Sequence, residues 1–271
     1  MYDTDLTDQQ WELLEPYIFK AKPGGRPRST NVREVINAIF YVLKNGCMWR
    51  SLPRDFPPWQ TVYRYFRHLG TSKAFDNAFR DMYERVRGKD ERNPEPSLLI
   101  VDSQSVKTDK TAVSDTRGYD GGKRVKGRKR HLAVDSAGNI VDVFISNANL
   151  NDVKGTKKLF KSIQKMYTFT AIDLVIADKG YRGERFKKYV ARRFGGEVEI
   201  GENHTSMETG FVPAKKRWLV ERALGWLNNY RRLAKDYEEK IEVSRHMIRM
   251  AAMRLMLRRL CPVPRKGKTW I

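Results

Sequence analysis

From the N-terminus to about residue 88 the apolar positions recur at helical spacing. Leu13, Leu14 and Ile18 predict a first short helix, opened by Thr7 or Asp8 as its cap. Pro23, Gly24, Gly25 and Pro27 break it, and the stretch from Lys22 to Arg28 reads as a basic loop or arm. Val35, Ile36, Ile39, Phe40 and Leu43 predict a second helix that starts near Asn31 and is stopped by Gly46. A third is expected from about Trp59 to Leu69. The Gly- and Pro-punctuated segment between these two, with Tyr63, Arg64, Tyr65 and Arg67 on the third, fits a helix-turn-helix. Any three-helix bundle with those aromatics in its core would show the same pattern. Gly88 to Pro96 is charged, proline-rich and empty of apolar residues, the composition of a linker.

Beyond the linker the period changes. Leu98 to Val101 is a continuous apolar run, as in a strand buried on both faces, and it ends in Asp102. A polar loop (107–127) precedes residues 130–135 and 140–145, two runs joined by a Gly-containing turn and therefore a hairpin. Residues 152–166 predict a helix, 172–177 a strand running into Asp178, 183–194 a basic helix and 198–200 a short strand. Two helices, 215–236 and 243–260, complete the pattern. The fold class is α/β: a mixed sheet flanked by helices, preceded by an all-α N-terminal region. The expected division is 1–88 helical, 89–97 linker, 98–260 the mixed α/β region and 261–271 a basic tail.

Charge adds a partner. The 271 residues carry 53 Lys and Arg against 32 Asp and Glu, a net charge of +21, and such an excess serves a polyanion, with nucleic acid first. A merely soluble or ribosome-like basic protein is the other reading. No apolar run is long enough for a membrane span. The acidic N-terminus lacks the regions of a signal peptide, and Cys47 and Cys261 form no CxxC pair. A reducing, cytoplasmic interior is the expected location.

Two apolar strands that each enter an aspartate raise a chemical question. A carboxylate in mid-strand is costly to bury, but at a strand's carboxyl end it reaches the crevice where open α/β sheets bind ligands. If the strands are neighbours, Asp102 and Asp178 repel unless a cation such as Mg²⁺ neutralises them. Alternatively each aspartate caps a turn. Glu221 lies at the edge of the helical stripe Val220, Ala223, Leu227 and Tyr230, with Arg217 one turn before it. Spacing alone favours a salt-bridged surface residue over a metal ligand.

These residues carry a resemblance. Ile100-Val101-Asp102-Ser103, Ala177-Asp178-Lys179-Gly180-Tyr181-Arg182-Gly183 and Arg217-Trp218-Leu219-Val220-Glu221-Arg222 are similar to the three acidic blocks of bacterial insertion-sequence DDE transposases. The insertion-sequence-five group is the nearest in pattern. Leu6 to Trp11, Gly25-Arg26-Pro27 and Cys47 to Pro53 resemble that group too, so the likeness covers nearly the whole chain. It implies an RNase H-like catalytic domain behind a helical DNA-binding domain, with Asp102, Asp178 and Glu221 as catalytic triad and metal ligands. It further implies two Mg²⁺ ions, with Mn²⁺ as a substitute, and double-stranded DNA as partner: the element's terminal inverted repeats and a target. A homodimer joining two ends is the natural assembly.

The sequence departs from a Tyr-Arg-Glu-Lys signature known in relatives. Arg217 fits the position four before Glu221, but Ala214 and Asn228 stand where Tyr and Lys are expected. Only 42 residues separate Asp178 from Glu221, too few for the large β-rich insertion of some relatives. The expected DNA contacts are Arg26, Arg28, Trp59, Tyr63, Arg64, Arg67, Lys123, Arg124, Lys126, Arg128, Lys179, Arg217, Trp218, Arg222, Arg231 and Arg232. Residues 123–130 would form a flexible backbone clamp, with His131 a phosphate neighbour; His204, in a loop, could approach the site, but a position away from it is the favoured reading. Asp135 and Asp142 read as structural, and Asp152 as a helix cap. Two alternatives stand beside the transposase: an inactive regulatory DNA-binding protein derived from one, and a plain metal-dependent nuclease.

Overall fold

A computed structural model of the chain describes residues 2–18, 29–167, 172–201, 204–206, 210–212 and 216–263, with only the backbone of 204–206 and 210–212. Thr7 and Gln10 cap each other's backbone at the start of α1 (Asp8–Leu14), so Thr7 is the cap. Asn31 accepts from the N–H groups of Arg33 and Glu34 to open α2 (Val32–Asn45), and Gly46, at φ +72°, ends it in the left-handed region. Then follow α3 (Trp59–Gly70) and α4 (Lys73–Lys89). The connection between α2 and α3 is residues 46–58, much longer than the three or four residues of a helix-turn-helix, which is therefore not formed. Core packing holds this long connection: Phe56 is buried, and the Trp49 ring lies 5.2 Å from that of Phe66.

The sheet is built from β1 (Leu98–Lys107), β2 (Gly118–Asp120), β3 (Val125–Val134) and β4 (Ile140–Asn147). After α5 (Asp152–Met166) come β5 (Leu174–Ala177), α6 (Glu184–Phe194) and β6 (Glu197–Ile200). The spatial order is β4-β3-β1-β5-β6, with β3 antiparallel to its neighbours β1 and β4, and β5 and β6 parallel to β1. That is the RNase H-like arrangement. A small hairpin, β7 (His204–Ser206) with β8 (Gly210–Val212), leads to α7 (Trp218–Asn228) and α8 (Ile241–Leu260).

Alternate residues of β3 reach opposite layers. A Cβ on Gly155 of α5 would collide with His131, so His131 faces α5, and Phe160 of α5 stacks on Phe186 of α6. Arg130 points the other way and donates to the carbonyl of Leu233, just after α7. The sheet thus lies between an α5–α6 layer and an α7–α8 layer.

Helix α8 is buried almost all round because it separates the N-terminal helices from the sheet. Three of its arginines are matched there: Arg249 with Asp76 (2.7 Å), Arg245 with Asp142 (2.7 Å) and Arg254 with the carbonyl of Asp3 (3.0 Å). The segment after α4 is fastened rather than loose. Buried Arg87 reaches Asp135 at 2.6 Å and the carbonyls of Asn93 and Glu95. Among the described residues no helix is long and apolar enough to cross a membrane.

The cap of α5 and the end of α7 differ from expectation. The cap of α5 is Asn151, while Asp152 pairs with Lys129 at 2.8 Å. Helix α7 stops at Asn228 instead of near residue 236, because Asp236 is drawn to the end of β1. Its N–H donates to the Lys107 carbonyl and its own carbonyl accepts from Asp109, both at 2.8 Å.

Candidate active site

Strands β1 and β5 run parallel with Ile100 opposite Ile176. The same register carried two residues further sets Asp102 beside Asp178. Strand β5 stops at Ala177, but β1 does not end at Asp102 as expected; it continues to Lys107, paired with β3. Asp102 therefore sits in mid-strand at the point where its neighbour has ended, which opens one side of β1 there. Asp102 lies opposite Leu132, whereas Ser103 lies opposite His131, so Asp102 faces the α7 layer.

Burial, together with repulsion from Asp178, pushes the Asp102 carboxyl up to about 6, against the pull of the Ser103 N–H and of Arg217 and Lys123. The Ser103 N–H donates to Asp102 Oδ1 at 2.7 Å, and the Lys123 ammonium donates to the Ser103 carbonyl at 2.7 Å. Asp178 is half-buried and also caps the turn after β5, accepting from the Gly180 N–H at 2.9 Å. Both readings of this aspartate, turn cap and site carboxylate, thus describe one residue.

Helix α7 brings the third carboxylate. Val220, Ala223, Leu227 and Tyr230 are all buried, which leaves Glu221 at the rim, its side chain 49% exposed. One nitrogen of Arg217, Nη2, lies 3.3 Å from Glu221 Oε1 and 3.9 Å from Asp102 Oδ2. A single guanidinium therefore spans the two acids. Asn228, at the position where Lys is expected, accepts from Gln104 of β1 at 3.4 Å and so helps seat α7 on the sheet. Ala214 lies outside the described residues.

The donor set suits a hard divalent ion in part. Asp102 and Asp178 supply neighbouring oxygens whose repulsion a cation would relieve. Among the described residues no three His, Cys, Asp or Glu side chains gather at ligating distance. Glu221 is held by Arg217, and it would join the pair by exchanging that guanidinium for an ion.

The basic residues divide sharply. Arg128 is not part of a flexible clamp: it is fully buried in β3, bound to Asp236 at 3.2 Å and to the carbonyls of Glu238 and Glu239. Arg232 is buried against Glu238 at 2.8 Å. Neither is available to DNA. His131 is no phosphate neighbour; burial lowers its pKa to about 4 and its Nε2 meets the Ser146 hydroxyl. Arg222 is engaged as well, its guanidinium against Trp218 and Trp226 at 4.5 and 4.6 Å and donating to the Ala137 carbonyl. Lys123, Arg124 and Lys126 are exposed before and within the start of β3, Lys179 and Trp218 are exposed next to Asp178 and on α7, and Arg231 is exposed away from the acids, packed against Gly46 at the end of α2. On α3, Arg64 and Arg67 are exposed, Arg67 donating to the Tyr63 hydroxyl, and Trp59 lies under Arg50. Arg26, Arg28 and the side chain of His204 fall outside the described residues.

Sequence reasoning did not single out the clasp made by Arg87 and Asp135, nor Gln104 as the partner of Asn228. Only the polar character of Gln104 in a strand hinted at the second.

Strand order and the acidic pair at the open end of its parallel strands define an RNase H-like domain of the kind that hosts phosphoryl transfer. The chain belongs to the DDE transposase family, a family of metal-dependent phosphoryl-transfer enzymes: residues 93–256 match the family described as "Transposase DDE domain". Residues 6–79 match "Putative transposase of IS4/5 family". The chain is 29% identical over 150 residues to the "Putative transposase for insertion sequence element IS402" of Burkholderia cepacia, covering 54% of this chain and 67% of that one. It is 31% identical over 65 residues to protein y4sN of Sinorhizobium fredii, covering 24% of this chain and 52% of that one. A piggyBac transposase synaptic complex with hairpin DNA is similar at 13% identity and a TM-score of 0.39, over 74% of this chain and 48% of that chain.

Proposed function

We propose that this chain binds the terminal inverted repeats of an insertion sequence, nicks the element end and joins it to target DNA. The observation that carries the proposal is the Asp102–Asp178 register together with Arg217, which reaches both Asp102 and Glu221. Asp102, Asp178 and Glu221 would hold Mg²⁺ or Mn²⁺. When bound, the metal lowers the pKa of an attacking hydroxyl and neutralises charge on the phosphate.

The chain's own residues do the rest. The Ser103 N–H holds the Asp102 carboxylate in orientation. Arg217, released from the acids, becomes a phosphate ligand at the base of α7. Lys123 and Lys179 flank the crevice as further cations. Trp218, exposed beside Glu221, offers a flat face to a base displaced from the helix end. Water attack breaks the phosphodiester and frees a 3′-hydroxyl; that hydroxyl then attacks a target phosphate, so one bond forms as another breaks. Residues 1–88 form the DNA-binding region, through exposed Arg64 and Arg67, and two copies bring two ends together at the bacterial nucleoid.

Purified protein with labelled duplexes carrying the element's ends and Mg²⁺ tests this reading. Nicked and joined products are expected. Nicks without joining would establish a nuclease instead, and retarded but intact DNA a regulatory protein. Full cleavage by Asp178→Asn or Glu221→Gln would remove that residue from the site.

A further inference from the structure

The layer of the sheet opposite α7 carries a charge pattern that the nicking site does not use. Helices α5 and α6 contain ten Lys and Arg against Asp152 and Glu184. Both acids are occupied, Asp152 by Lys129 and Glu184 by Lys187. On α5 the lysines at 154, 158, 161 and 165 follow one another at four-, three- and four-residue steps, so they share one face, and all four are exposed. No carboxylate among the described residues pairs with them. Lys158 lays its ammonium over the Phe144 ring at 5.7 Å, which fixes its stem without neutralising it. Lys188 and Arg192 are exposed on neighbouring α6. The two helices are bound side by side through Phe160 and Phe194 and through the Tyr189 hydroxyl on the Lys157 carbonyl.

The layer is anchored at the acidic site. Strands β4 and β5 both run parallel to β1, so α5 and α6 start at the end of the sheet where Asp102 and Asp178 lie and run away from it. The Thr156 hydroxyl in the first turns of α5 meets the Tyr181 hydroxyl in the turn that Asp178 caps, at 3.1 Å. From Lys154 to Lys165 the row extends about 16 Å, roughly five phosphate steps along one strand of a duplex. Its cations are lysines, point charges that bind phosphate without the planar fork that reads a guanine edge. Gln164, a side chain that could read a base, is spent on the Arg193 carbonyl.

We propose that the α5–α6 layer is the docking surface for the target duplex, held through its phosphates without reading its sequence. The inference rests on the transposase reading above and adds the path of the second DNA. The row leads a duplex from the crevice over the outer surface of α5 and α6.

The test uses the full chain carrying Lys158→Gln, Lys161→Gln and Lys165→Gln together, substitutions at exposed positions, with an unchanged melting curve as the check on folding. Anisotropy with a random-sequence duplex across a salt series should show the slope of log affinity against log salt reduced by about 3, near 0.9 for each lost phosphate contact. Joining of a pre-cut element end to a supercoiled plasmid should fall about tenfold or more, while nicking of a short element end stays within about twofold. An unchanged slope and unchanged joining would overturn the proposal and leave an acidic protein as the occupant. Nicking lost in step with joining would also overturn it, by putting the element's own DNA on this face. Wild-type protein that neither nicks nor joins would refute the transposase reading, an outcome distinct from both.

Discussion

Replacing Asp102 by asparagine should make the metal-free protein more stable while removing its activity. The carboxyl is largely buried, 16% exposed, and its pKa is about 6 against 3.8 for an open chain, through burial and the nearby Asp178. The folded state thus binds this proton more tightly than the unfolded state does. The charged carboxylate opposes folding above pH 6, and the penalty fades as pH falls through 6 toward 3.8. Two units at about 1.36 kcal/mol each give about 3 kcal/mol at pH 8, and roughly half of that at pH 5. Asparagine keeps the shape and can accept the Ser103 N–H, but it brings no charge. Urea denaturation of wild type and D102N in a chelator, at about pH 8 and pH 5, measures the difference. Adding Mg²⁺ should stabilise the wild type, by about 2.7 kcal/mol at a hundredfold excess over Kd, and leave the variant unmoved. A variant less stable than wild type at the higher pH, or an advantage that does not shrink on acidification, would refute the reasoning.

Three further predictions concern groups that the fold removes from DNA. Arg128→Gln should cost about 3–5 kcal/mol in urea denaturation, since it strands Asp236 in the interior, yet leave the duplex affinity of the folded fraction unchanged; a selective loss of DNA binding would contradict the burial. Arg87→Met should lower Tm by roughly 6 °C or more by leaving Asp135 without its cation, and a Tm within a degree of wild type would show the clasp to be idle. His246, wedged between Phe66 and Phe75, has its pKa lowered to about 3 by burial and by Arg249 and Arg245, so only the unfolded chain takes its proton as pH drops below 6.5. His246 alone should therefore cost about 2 kcal/mol of stability between pH 6.5 and pH 5, and His246→Leu should remove that share of the pH dependence; an unaltered pH profile would rule the histidine out.

What the sequence reveals of this molecule is what is local to it. Thr7, Asn31 and Gly46 mark helix ends with their own side chains or backbone, and the apolar runs before Asp102 and Asp178 mark two buried strands. A general rule about strand ends then puts both aspartates at the binding edge of the sheet, and the pairing of β1 with β5 brings them together. The errors share a cause: the deciding contact is made in the folded structure and leaves no mark on the local pattern. Arg128 and Arg232 look like DNA ligands because an exposed cation and a buried, paired one read alike; Asp236 and Glu238 decide the matter. Helix α7 ends at Asn228 because Asp236 bonds to β1, a tertiary demand absent from the helix's own pattern. The connection from α2 to α3 looks like a tight turn until Trp49 and Phe56 are seen to enter the core. Glu221 is the instructive case. Spacing favours a salt bridge with Arg217 and the family resemblance favours a catalytic role; the ion pair is present, and its guanidinium also reaches Asp102.

The central claim, that Asp102, Asp178 and Glu221 together bind the reactive metal, is tested most directly by anomalous diffraction from crystals soaked in Mn²⁺ with a cut element end bound. The account predicts manganese peaks in contact with all three carboxylates, with Arg217 turned from the acids to a phosphate. Peaks elsewhere, or a Glu221 still paired with Arg217 while manganese occupies the aspartates alone, would contradict it.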